Sequence, residues 1–296
     1  MKKIKIFSIA IMVALLCVCT MQIAFAETQY HKIGGMTYEV DTVAKTASTY
    51  IYGNYNQEAG TYEYVFDATI EVPATIEVGE ETYNVTKIGD YTFGAPKNTR
   101  GQNPAASNSI TTSITLPEGI TEIGTYAFSY LKNSSLKIKI PSTVTTVGES
   151  AFSNSTTVKE IDFKDSAVTA IPNNCFNNCY ALQKLELPST VTSIHMNAFV
   201  NARVLAEIKI YSEEVNFTPA NSTYGFPAAF GISPNDIPNN GSRKASTVFY
   251  VKNDKIKSDL QALAEKKSFQ QVMVLQKPMT IQVSMTEVRL NYSLTQ

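Results

Sequence analysis

The 296-residue chain has no tryptophan, two histidines and four cysteines. So little His and Cys starves the catalytic and metal sites that depend on them, and without Trp there are no indole platforms for sugars. Neither sign of charge prevails: 25 Lys and Arg stand against 26 Asp and Glu. That balance offers no basic surface for nucleic acid. Glycine (14) and proline (12) are too few for a collagen-like or low-complexity chain, while 44% hydrophobic residues is a globular composition. Motifs with defined chemistry are missing too. There is no Gly-x-Ser-x-Gly, no His-Glu-x-x-His and no glycine-rich phosphate loop with lysine. Asp236–Gly241 is a poor calcium loop, because Pro238 takes a ligand position and Thr247 stands where a bidentate Glu is needed. The acidic pairs are not placed by sequence in a shared cleft. The expectation is a protein with no catalytic, cofactor-binding or metal-binding residues, hence not an enzyme.

Long apolar runs are absent but for one. Ile6 to about Cys19 follows Lys2, Lys3 and Lys5 and precedes Ala24-Phe25-Ala26. This reads as a secretory signal peptide over 1–26. The run is short for a spanning helix of ~20 residues. Bulky Leu16 and Val18 before Cys17 and Cys19 argue against a lipoprotein. Cleavage removes three lysines, no acid and two cysteines, leaving 22 basic against 26 acidic residues, net −4. A secreted or surface-exposed location follows, with no membrane span after cleavage and no electrostatic attraction to nucleic acid.

What the chain does have is a repeat. Ser113–Leu131 (SITLPEGITEIGTYAFSYL), Lys137–Ser155 (KIKIPSTVTTVGESAFSNS), Glu160–Cys179 (EIDFKDSAVTAIPNNCFNNC) and Lys184–Ala202 (KLELPSTVTSIHMNAFVNA) are copies of one another. Leu116, Ile140, Phe163, Leu187 and Ile210 recur every 23–24 residues, as do Phe128, Phe152, Phe176 and Phe199. Eight residues before each Phe stands Ile120, Val144, Val168 or Val191, and five before it Ile123, Val147, Ile171 or Ile194. Val85, Ile88 and Phe93 close an earlier copy at the same offsets. One copy cannot bury its apolar side alone, so neighbours must stack around a shared core. Asn154, Asn178 and Asn201 recur two residues after Phe, where their side chains are expected to bond turn backbone. Cys175 and Cys179 read as two buried thiols, although export also permits a disulfide.

The pattern I-x-L-P-x-x-[VI]-x-x-I-G-x-x-A-F resembles the BspA-type leucine-rich repeats of bacterial surface proteins. Thr86–Phe93 and Ile114–Phe128 carry it closely, whereas Pro172 and His195 replace its Gly and Cys175 its Ala. The resemblance implies a β-rich solenoid, a right-handed leucine-rich-repeat stack, and adhesion to host matrix or other cells.

The expected layout is a β-rich N-terminal cap over 27–72, repeats over 73–215 with an insertion at 94–113, and a mixed α/β C-terminal cap over 216–296. The N-terminal cap is expected to hold strands at Met36–Val40, Ser48–Tyr52 and Tyr62–Phe66, and a hairpin-like insert around Glu77–Tyr83 to lengthen the first repeat. The nine tyrosines between Tyr30 and Tyr91 cover the first repeat or offer a sugar- or protein-binding face. The C-terminal part is expected to hold strands at Thr247–Lys252 and Val272–Leu275 and a helix at 254–267, capped by Asn253 or Asp254. Outward strand positions form two ladders, Lys137, Glu160, Lys184, Glu207 and Thr115, Lys139, Asp162, Glu186, Lys209. They are expected to support register, with a weak acidic spot at Asp162 and Glu186. His195 reads as a turn residue without a partner. Asp41-Thr42-Val43 and Asp165-Ser166-Ala167 resemble bacterial O-glycosylation acceptors. Together these features point to a binding module for a protein or glycan ligand on host or neighbouring cells; the alternative is a structural spacer or assembly component of an envelope complex.

Overall fold

A computed structural model describes residues 28–56, 61–64, 66–94, 109–202, 204–217, 248–265 and 273–274. The expected signal peptide, residues 95–108 of the 94–113 insertion, the segment between Phe217 and Val248 and the tail after Val274 lie outside these residues.

Each repeat turns its chain around three apolar points. The first lies on short strands: Thr69–Glu71, Ser113–Thr115, Lys137–Lys139, Glu160–Asp162, Lys184–Leu187 and Glu207–Ile210. They pair in parallel in that order, and Val248–Val251 and Met273–Val274 extend the sheet. Ile138 lies opposite Ile114 and Ile161, and all three are buried. The second point is a narrower wall of two-residue strands. Glu122–Ile123 joins Glu81–Ile88 to Thr146–Val147, and Ser193–Ile194 joins Ala170–Ile171 to Asn216–Phe217, all in parallel. Ile123, Ile171 and Ile194 are fully buried on it. Beside this wall Thr121, Thr145 and Thr192 donate their hydroxyls to the carbonyls of Thr86, Thr121 and Thr169, one rung earlier (3.2, 3.3 and 3.2 Å).

The third point is the recurring phenylalanine. Phe93, Phe128, Phe152, Phe176 and Phe199 form one column, with centroids 5.2, 5.1, 5.6 and 5.3 Å apart and planes within 24°. Phe163 meets Phe152 and Phe176 edge-on. Each such ring pair adds roughly 0.5–1.5 kcal/mol to what burial contributes. The recurring apolar offsets are thus one continuous core, as the period predicts.

The second wall is not continuous. Gly124 N donates to Ile88 O at 2.7 Å, Gly148 N to Ile123 O at 2.7 Å and His195 N to Ile171 O at 2.9 Å. The equivalent donor to Val147 is residue 172, a proline with no N–H. The sheet ends at Thr146–Val147 and a separate three-stranded sheet begins at Ala170–Ile171. Gly148 sits so close to the preceding rung that a Cβ would lie 2.5 Å from Thr125 N.

At the N-terminal side, Gln29–Ile33, Met36–Asp41 and Thr46–Asn56 run antiparallel, and Thr46–Asn56 then pairs in parallel with Glu81–Ile88. Thr61–Tyr64 also pairs with Thr46–Asn56. The hairpin is present as Thr75–Val78 against Glu81–Ile88, with Gly79 at φ 65°. Gln29–Ile33 is a strand the pattern does not predict. Tyr38, Tyr52 and Tyr83 are buried in the core, and the Tyr52 ring meets Phe93 at 6.0 Å. At the other side the helix is Asp254–Glu265. Asn253 is its cap, its Oδ1 accepting from Ile256 N at 3.1 Å, and Ile256 and Leu260 are buried.

Candidate binding surfaces

Two surfaces face outward along the stack. The strand face carries the charge ladders in the expected register. Lys137, Glu160, Lys184 and Glu207 stand opposite one another on successive strands. Among the described residues, however, no ion pair closes between rungs of this ladder; Glu207 is instead bridged by Lys209 of its own strand at 3.3 Å. In the second ladder Lys139 faces Asp162 but reaches Asp165 at 3.2 Å.

The acidic spot expected at Asp162 and Glu186 does not form. Asp162 accepts from Lys164 N at 3.0 Å. Glu186 accepts from Lys209 Nζ at 2.8 Å and from Tyr211 OH at 2.7 Å. Burial works against the Glu186 carboxylate, yet these two donors outweigh it and hold its pKa below the ordinary value. Burial and the bond to Glu186 push the Tyr211 phenol up to about 12. The bond to Glu186 holds Lys209 above the usual ammonium range. The cluster is self-neutralised and presents no single sign to a ligand.

The second surface is the turn edge around each phenylalanine. Two residues before Phe stand Tyr91, Tyr126, Ser150, Asn174 and Asn197; two after it stand Tyr130, Asn154, Asn178 and Asn201. Every one has φ between 55 and 61°. Non-glycine residues seldom adopt this left-handed region, asparagine excepted. Inter-rung bonds hold them there: Tyr126 N donates to Glu149 O at 3.1 Å, Ser150 N to Asn173 O at 3.0 Å and Asn174 N to Met196 O at 3.1 Å.

The asparagines do not bond turn backbone with their side chains as expected. They bond each other. Asn178 Nδ2 donates to Asn154 Oδ1 at 2.9 Å, and Asn201 Nδ2 to Asn178 Oδ1 at 2.8 Å. Stacking places identical amides one rung apart, where Asn201 donates to Asn178 and Asn178 to Asn154. In the other column, Tyr91 and Tyr126 stack with centroids 5.1 Å apart and planes at 12°. Fixed spacing from Phe was the signal for both columns; which side chains meet was not readable until the rungs were in register.

Other residues singled out by the sequence resolve individually. Cys175 and Cys179 are free and buried, and Cys179 Sγ donates to Phe152 O at 3.1 Å. Burial pushes the Cys179 thiol up to about 12. Ser155 fills the same place one rung earlier, its hydroxyl bonded to Phe128 O at 2.9 Å. His195 does have a partner, contrary to expectation: its Nε2 lies 3.1 Å from Ser193 Oγ. Ser166 is buried and donates to Phe163 O at 2.8 Å, which removes it as a glycosylation acceptor. Thr42 sits in a turn where Asp41 Oδ1 accepts from Val43 N and Ala44 N, both at 2.8 Å. Among the described residues no cluster of three His, Cys, Asp or Glu could hold a metal, and no helix is long and apolar enough to cross a membrane.

Residues 99–222 match the BspA type leucine rich repeat region, in six copies. No curated protein matches the chain. Among solved structures the chain is similar to a leucine rich cell surface protein from Faecalibacterium prausnitzii, at 23% identity over 66% of this chain and 57% of that one, TM-score 0.35. It is similar to a leucine-rich repeat protein from Eubacterium ventriosum at 19% identity over 75% and 54%, TM-score 0.45. It is also similar to the pneumococcal vaccine antigen PcpA at 14% identity over 84% and 99%, TM-score 0.32. The chain spans little more than half the length of the first two.

Proposed function

We propose that this chain, whose residues 99–222 are a BspA type leucine-rich repeat region, is an exported, non-catalytic binding module for a protein or glycan ligand on host or neighbouring cells. The observation that carries this reading is the contrast between a fixed core and a varied edge. Among the described residues each rung repeats the same buried phenylalanine, while the turn positions beside it change among Tyr, Ser and Asn, half-buried except at the buried Ser150 and Asn201. A scaffold that holds its core constant and varies its surface is suited to recognition. The lysine run and apolar segment before Ala26 support export to the cell surface or beyond. In this reading the antiparallel strands before Thr69 and the strand–helix unit after Val248 are the caps of a right-handed stack.

The test is retention of the exported chain, 27–296, on intact cells and on immobilised matrix proteins and glycans. Saturable retention is the expected result. A chain that ignores every outside ligand and co-purifies with fixed envelope partners would be a spacer instead.

A further inference from the structure

We infer that the strand face is an interface between two copies of this chain, related by a two-fold axis that runs along the strands between Glu160 and Lys184. This goes beyond the binding-module reading and does not depend on it, since a spacer can pair in the same way. Lys137, Glu160 and Lys184 are exposed, so the face is open where they stand. They lie opposite one another on successive parallel strands, with Glu207 next in the row. Each of the three faces an opposite charge one rung away, yet none closes an ion pair among the described residues. Rungs are spaced by ~4.8 Å. The ladder is therefore a row of open charges, plus, minus, plus, minus, held at a fixed step.

The order of signs selects the partner. A ligand of one sign meets attraction and repulsion in equal measure along this row. A partner that gains at every step must alternate in sign and repeat the same spacing, and the same face of a second copy has that spacing by construction. Read backwards, Lys137, Glu160, Lys184, Glu207 becomes Glu, Lys, Glu, Lys. A two-fold axis along the strands reverses the rung order, so Glu160 meets Lys184 of the second copy and Lys137 meets its Glu207. Each contact recurs with the copies exchanged, as in any isologous interface, and all are of opposite sign. The other face-to-face two-fold has its axis along the stack and sets the two ladders on each other. Lys137 then meets Lys139 and Glu160 meets Asp162, so these two rungs repel. Facing sheets pack ~10 Å apart, a gap that Lys and Glu side chains span head to head. In the favoured arrangement the second ladder sets Lys139 over Lys209 and Asp162 over Glu186. Those groups are already engaged within each copy: Lys209 binds Glu186 at 2.8 Å, Lys139 binds Asp165 at 3.2 Å and Asp162 accepts from Lys164 N at 3.0 Å. The open ladder therefore sets the register.

The test is sedimentation equilibrium of the exported chain, 27–296, over a range of concentrations in low and high salt. It is compared with Lys184→Glu, Glu160→Lys, an equimolar mixture of these two variants, and Lys255→Glu on the helix as a control away from the face. Both ladder positions are exposed, and melting curves verify that each variant is folded. The native chain is expected to dimerise, with a dissociation constant that rises with salt. Each ladder variant alone sets two like-charged contacts across the axis and should weaken the dimer by about tenfold or more. In the mixture every acid on one variant meets a lysine on the other, so a heterodimer should form within about twofold of native affinity. Lys255→Glu should match the native chain. A native chain that stays monomeric at every concentration overturns the inference and leaves the face to a different partner. A dimer indifferent to both ladder variants, or equally weakened by Lys255→Glu, overturns it as well. Two weakened variants that fail to restore each other on mixing overturn the two-fold register on which it stands. Ligand retention on cells, matrix or glycans is a separate measurement, so either reading can fail alone.

Discussion

Asn178 donates its side-chain amide to Asn154 at 2.9 Å and accepts from Asn201 at 2.8 Å, so one side chain ties three rungs together. It does so from a left-handed backbone, φ 59°. Asn178→Gly keeps that backbone and removes both bonds, which is expected to cost about 1–3 kcal/mol. Asn178→Ala should cost roughly 1–2 kcal/mol more, from the left-handed strain alone. Urea midpoints at constant m-value measure both; equal losses would show that the backbone conformation contributes nothing.

The thiols make a second case. Cys175 stands where other rungs have Ala127, Ala151 and Ala198, and Cys179 where one has Ser155. Cys175→Ala and Cys179→Ser are expected to lower stability by no more than about 1.5 kcal/mol, since each reproduces a neighbouring rung. In the native chain neither thiol should react with an alkylating reagent until the fold opens, because burial raises both pKa values. Labelling at native pH faster than global unfolding would contradict this.

Pro172 interrupts the second wall by lacking an N–H. Pro172→Gly restores the donor to Val147 O, worth about 0.5–1.5 kcal/mol, but loosens the unfolded chain by a similar ~0.4–1 kcal/mol. Net stability should barely change, while amide exchange at residue 172 should be strongly protected. Rapid exchange there would mean the gap has another cause. Gly148→Ala, by contrast, forces a Cβ onto Thr125 N and should cost roughly 1–3 kcal/mol.

Acid should weaken the Glu186–Lys209–Tyr211 cluster. The folded pKa of Glu186 is depressed, so its stabilisation is complete above the ordinary Glu value of ~4.3 and is lost as pH falls through the lower folded value. The cluster is partly exposed and screened, so the effect is about 1 kcal/mol or less. Melting of the native chain and Glu186→Gln between pH 7 and acid should differ most at neutral pH and converge only as pH falls through the depressed folded value. A gap that widens in acid would reverse the assignment.

Lys184→Glu places like charge between Glu160 and Glu207 on the adjacent strands. Since no ion pair closes between these rungs, the loss should be small, ~0.2–1 kcal/mol, and should shrink in high salt. A large, salt-independent loss would indicate packing and not charge.

The apolar scaffold was readable because burial leaves a periodic trace. Val144, Val147 and Phe152 repeat their offsets in every copy, and all are buried. The hairpin at Gly79 and the helix start after Asn253 were readable from local turn and cap chemistry. Gln29–Ile33 was not, because its polar residues show no alternation on an edge strand. The loss of Gly at Pro172 and His195 was visible as a departure, but its consequence needed the donor list of the neighbouring rung. The partners of Asn178, His195 and Glu186 depend on residues one rung away or on ring orientation, which no local pattern encodes.

Among the described residues, the places two before and two after the recurring phenylalanine are left-handed, and Tyr, Ser and Asn occupy them without glycine. The backbone there is already committed by inter-rung amide bonds, whatever side chain it bears. Exchanging one of these three residue types for another therefore rewrites the edge without re-folding the rung. The same framework can drift through many surface vocabularies while its interior stays silent.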